Sequence, residues 1–143
     1  MFAALSRIGL DSNQGKVASN VVKTQSKHGI YTAIAPMIMT NEQAAHMNWD
    51  PEYKFKSGDI TCLELAAASH HYHCPIARTC FTGNIKDIPN NIICTMQTIY
   101  IAMQSALNAS RSGNKAEDIY YAFNNILLQE IGENGRKMSR MGY

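Results

Sequence analysis

Between Gly58 and Gly83 the chain reads GDITCLELAAASHHYHCPIARTCFTG, two stretches of β-forming residues separated by a short polar run. That arrangement specifies a hairpin, with strands predicted at about Ile60 to Ala67 and Pro75 to Thr82, joined across the histidines. Pro75 suits the first residue of its strand, because proline donates no ladder hydrogen bond. Glu64 stands between Leu63 and Leu65 in a stretch otherwise made of Thr, Cys, Leu and Ala, so it is expected to be buried. A carboxylate in apolar surroundings must find a partner or resist ionisation. An ion pair with Arg78 across the hairpin is one solution, and a chemical task for Glu64 is the other.

A lone hairpin is marginal in water, so neighbouring segments must cover it. Tyr31 to Thr40 is apolar, contains Pro36 and is predicted to be extended, with a polar loop following from Asn41 to Ala45. Ahead of it, Val17, Val21 and Val22 recur at helical spacing within about Asp11 to Ser26, with Asp11 or Ser12 as N-cap and Gly29 as the stop. Two further helices are predicted at about Ile88 to Ala109 and Lys115 to Ile131, the second opened by a capping box of Asn114 and Glu117. Their stripes, Ile92, Ile93, Met96, Ile99, Tyr100 and Met103 on one and Ile119, Phe123, Ile126, Leu127 and Ile131 on the other, are assigned to the core against the sheet. The closing GENGRKMSRMGY reads as a loop. The expectation is one α+β domain over residues 1–143, a curved antiparallel sheet with helices on one face.

Charge and composition remove several classes of function. Thirteen basic against eleven acidic residues give a net charge of +2, with no basic stripe, which argues against nucleic acid. No run approaches the roughly 18 apolar residues of a membrane helix, so no membrane partner is expected. Cys62, Cys74, Cys80 and Cys94 show no C-x-x-C spacing, and the opening residues lack a signal-peptide pattern, so a cytoplasmic setting is expected. His70, His71 and His73 with Cys74 invite a zinc reading. Strand alternation would put His71 and His73 on one face and His70 and Cys74 on the other, so four ligands do not converge and no metal site is predicted. The methionines on the helical stripes imply no copper or cofactor site.

The segments IAPMI, AAHMNWD, FKSGDITCLELA, YHCPIARTCFTG and ASRSGNKAEDIYYAF, in this order, resemble the catalytic domain of the creatinase/aminopeptidase family, whose fold is called pita-bread. Within the family the pattern is most similar to the ectoine-hydrolase branch, which opens a cyclic amidine ring. The resemblance implies a partial catalytic domain, with the family's N-terminal domain and the last part of its catalytic domain outside residues 1–143. Family peptidases bind two metal ions through acidic residues that begin at the positions of Glu64 and Pro75. Proline has no donor atom, so the resemblance implies a metal-independent hydrolase with no cofactor. It further implies Glu64 as nucleophile or general base at the amidine carbon, and His46 as the group that moves the proton to the leaving nitrogen.

In the same reading His73 contacts the substrate, Trp49 and Tyr72 wall the pocket, and Arg78, half of the family's Arg-Thr pair with Thr79, steadies carboxylates. The expected partners are an ectoine-like small molecule and a second copy of the chain in a homodimer. The competing classes are a metallopeptidase acting on Xaa-Pro peptides, which Pro75 opposes, and a solute-binding module without turnover.

Overall fold

A computed structural model describes residues 1–131, with only the backbone of Ile131; the loop expected over 132–143 lies outside the described residues. The chain divides into two compact units, Met1–Asp87 and the residues from Ile88 onward. The first contains helix α1 (Phe2–Leu5), helix α2 (Gln14–Lys27), strand β1 (Tyr31–Thr40), the helical turn α3 (Glu42–Ala45), strands β2 (Ile60–Ser69) and β3 (Tyr72–Phe81), and a 3-10 turn at Ile85–Asp87. The second contains α4 (Asn90–Ala109) and α5 (Ala116–Ile131), which pack against each other.

The three strands form one antiparallel sheet in the order β1-β2-β3. The hairpin is longer and tighter than the sequence suggested. Its turn is only His70 and His71, both with positive φ (51° and 66°), the backbone of the two-residue turns that suit the twist of paired strands. Pro75 is consequently the fourth residue of β3 and pairs with Ala66; it is tolerated because β3 has a neighbour on one side only among the described residues. In β1 the register shifts between Thr32 and Ile34 and again between Ile34 and Met37, which places the buried Pro36 in a bulged stretch where a missing N–H interrupts no regular ladder.

The core lies between α2 and one face of the sheet. Val17, Ala18 and Val21 of α2 cluster with Ile38, Leu63, Leu65, Phe55 and Ala4, and Ile76, Tyr53 and Trp49 pack around them. Ile38 and Leu63, both wholly buried, contribute roughly 2 kcal/mol each by leaving water. Helix α2 starts later than Asp11 or Ser12 would place it: Asn13 is the N-cap, and its side chain accepts the Lys16 N–H at 2.8 Å. Gly29, at φ +67°, follows the helix end as anticipated. The expected loop after β1 contains the α3 turn.

In the second unit, among the described residues, Ala102 and Leu127 are the fully enclosed side chains. The assignment of the whole α4 stripe to the core needs correction: Ile93, Met96, Tyr100 and Met103 remain exposed. The capping box is also replaced. The Asp118 carboxylate, not Glu117, accepts the Lys115 N–H at 2.9 Å, and the Asn114 side chain turns back to donate to the Ala109 carbonyl at the end of α4.

Candidate active site

Residues paired across an antiparallel ladder point to the same face. Glu64 is flanked by Met37 on β1 and Ala77 on β3, with Cys62 paired to Met39 and Thr79 and Ala66 paired to Pro75. These side chains form one face, and Ile38, Leu63, Leu65 and Ile76 form the other, against α2. Glu64 is therefore half-buried rather than buried, and its sequence neighbours Leu63 and Leu65 point away from it. No hydrogen bond or ion pair to its carboxylate forms among the described residues. Its charge is felt two residues along the strand: the Cys62 thiol is pushed up first by burial and then by the Glu64 carboxylate. The small side chains of Ala66, Ala77 and Pro75 border it on the same face.

Arg78 pairs with Leu63, so it stands on the face opposite Glu64, and its guanidinium donates to the Ala77 carbonyl at 2.7 Å. The cross-strand ion pair is not formed, and the structure does not bring Arg78 to Glu64. His73 does share the Glu64 face, through its pairing with Ala68. It lies four residues along β3 from Ala77, about 13 Å at strand spacing, and is exposed. Tyr72, 83% exposed at the hairpin tip, walls no pocket among the described residues. Trp49 packs against the core cluster and is thereby a packing residue, not a pocket wall. His46 closes the α3 turn with its N–H on the Gln43 carbonyl at 3.2 Å; its side chain is exposed. His70 and His71 occupy the turn, where the Tyr31 hydroxyl lies 3.5 Å from His71 Nδ1 and the Ser69 hydroxyl 3.1 Å from His70 Nδ1.

Sequence reasoning missed two polar clusters that shape the ends of these strands. Asp59 is almost wholly buried and accepts from the Asn41 amide, the Tyr53 hydroxyl and the Lys56 N–H; burial, then the Asp59 hydrogen bond and charge, raises the Tyr53 phenol. Gln14, also buried, meets Thr40 and Gln43. The available signal for Gln14 was its position, since it shares the spacing of Val17, Ala18 and Val21 and hence their inward face. A groove of about 830 Å³ lies elsewhere, along Ser6 to Lys23 with Pro51 and Glu52, and none of the candidate residues line it.

Among the described residues no three His, Cys, Asp or Glu side chains converge. Pro75, diagonal to Glu64 on the shared face, contributes no ligand atom.

Comparison with known proteins supplies the context. The family model described as metallopeptidase family M24 matches residues 3–143. Over 121 residues the chain is 30% identical to the ectoine hydrolase of Halomonas elongata, an alignment covering 81% of this chain and 27% of that protein. The prolidase of Pyrococcus furiosus superposes with a TM-score of 0.75 at 23% identity, over 92% of this chain and 38% of that one. An X-Pro aminopeptidase from Thermotoga maritima gives 0.79 at 16% identity, over 92% and 37%. The chain thus spans about a quarter of its curated relative and little more than a third of these solved chains. These likenesses bear out the pita-bread fold for the part present, an α+β arrangement with an antiparallel sheet. They overturn the expectation of metal independence, because the matching family is one of metallopeptidases.

Proposed function

Because the chain belongs to metallopeptidase family M24, a hydrolase family, we propose that the protein carrying it hydrolyses a non-peptide C–N bond in a small cyclic solute of the ectoine type. The observation that carries this reading is the setting of Glu64, a carboxylate without a partner among the described residues, bordered by Ala66, Ala77 and Pro75, together with 30% identity to an ectoine hydrolase. A cyclic amidinium is cationic and compact, and a carboxylate bordered by small side chains attracts it. Glu64 then either attacks the amidine carbon or takes a proton from the water that does. The C–N bond breaks toward the ring nitrogen, which leaves as an amine after gaining a proton, the step proposed for His46. Water supplies the oxygen of the product amide, an N-acetyl-diaminobutyrate. His73 is the proposed contact for the far end of the substrate.

The test runs ectoine and an Xaa-Pro dipeptide side by side on the purified protein, each with and without added manganese, with products followed by proton NMR. Ring opening of ectoine with the dipeptide left intact is expected. Cleavage of the dipeptide alone would overturn the reading in favour of a prolidase-type activity.

A further inference from the structure

We propose that Gln14 is a positioning residue for His46, clamping the segment from Gln43 to Asp50 through one buried amide; the catalytic consequence rests on the role proposed above for His46. Gln14 is wholly inaccessible to solvent at the start of α2. Its Nε2 donates to the Thr40 hydroxyl at 2.9 Å and to Gln43 Oε1 at 2.6 Å, and its Oε1 accepts the Asp50 N–H at 2.9 Å. Backbone donors fix both amide orientations. The Asp50 N–H can meet only the oxygen of Gln14, and the Thr40 N–H, at 2.9 Å, can meet only the oxygen of Gln43. Both protons and the oxygen of Gln14 are therefore used.

The anchors fall three residues before His46 and four after it, so an eight-residue segment is tied at both ends to the same side chain. Thr40 is in turn joined to Thr61 of β2, hydroxyl to hydroxyl at 3.1 Å. The clamp thus connects the His46 segment to the end of the strand that carries Glu64. The helix start reinforces it from the other side. Gly15 N–H donates to the Pro51 carbonyl at 2.9 Å and Gln14 N–H to the Tyr53 carbonyl at 3.1 Å. A Cβ on Gly15 would stand 2.9 Å from the Pro51 oxygen, so glycine there permits the close approach. A polar side chain buried at a core position, with its groups satisfied by Thr40 and by both ends of the segment that carries a candidate proton donor, does more than fill volume.

Gln14→Met keeps length and bulk but removes both donors and the acceptor. In the intact protein it is expected to speed exchange of the Asp50 amide at least tenfold and to move the His46 imidazole resonances, with far-UV circular dichroism unchanged. It should lower kcat on ectoine about tenfold with little change in KM, and cause no further loss in a His46→Ala background. Unchanged Asp50 exchange and His46 resonances would overturn the clamp, and a full additional loss in the His46→Ala background would reduce Gln14 to a stability role. Should Gln14→Met fail to fold, Gln43→Met removes one end of the clamp and is read by faster exchange of the Thr40 amide, which loses its acceptor, and by the His46 resonances, unchanged values of both overturning the clamp. If His46→Ala alone keeps full turnover, the catalytic role of His46 fails and its positioning for catalysis with it, while the exchange data still decide whether Gln14 holds the segment.

Discussion

Strand parity decides what surrounds each side chain of the hairpin. With a two-residue turn, Glu64 meets Ala77 and Leu63 meets Arg78, so the carboxylate and the guanidinium face opposite sides although their sequence distance would have suited a pair. Parity also separates the thiols. Cys62 lies on the Glu64 face, while Cys80, paired with Thr61, lies on the other and donates to the Thr61 carbonyl at 3.6 Å. Burial, and then the neighbouring Cys62, pushes the Cys80 thiol up to about 11. A thiol ionises near 8.5 in an unfolded chain, so the folded state favours the neutral form. The resulting stability is fully present below about pH 8.5 and is lost as pH rises toward 11. Iodoacetamide at pH 8 is accordingly expected to label the exposed Cys74 and Cys94 well before Cys62 and Cys80, as read by peptide mass spectrometry. Equal labelling of Cys80 and Cys74 would contradict the packing of β3 against β2.

At the scale of elements, local pattern was a good guide to strands and helices and a poor one to their ends. Tyr31–Thr40 was legible to the residue, because apolar β-forming residues end there in a polar run. The hairpin strands were read short, since two consecutive histidines carry no glycine-like signature for a turn with positive φ. The N-cap of α2 was misplaced because Asp11, Ser12 and Asn13 are all capping residues; tertiary partners chose among them, with Gln14 N–H bound to Tyr53 and Asn13 bridged to Lys54. The turn yields a direct prediction. Replacing His70 with Asn and His71 with Gly supplies residues that adopt this backbone readily, and is expected to raise stability by about 0.5–1 kcal/mol in urea denaturation. A loss of stability instead would mean that the contacts of His70 with Ser69 and of His71 with Tyr31 outweigh the backbone strain.

For the molecule as a whole, the family was legible because five segments occur in order, whereas the site was legible only in part. Glu64 and His73 share a face because of the two-residue turn, while Trp49 packs on the core, Arg78 lies on the opposite face and Tyr72 is exposed, since each depends on register and packing that residue type does not encode. The expectation of metal independence came from Pro75 alone and gave way to the family to which the chain belongs. The chemical proposal depends on the carboxylate of Glu64, and Glu64→Gln is the most direct test, because it keeps the shape and removes the charge and the base. Measured as kcat and KM for ectoine ring opening in the protein that carries this chain, the substitution is expected to lower kcat by about a thousandfold with the fold unchanged. Turnover at the wild-type rate would contradict the assignment of Glu64 as the group that acts on the C–N bond.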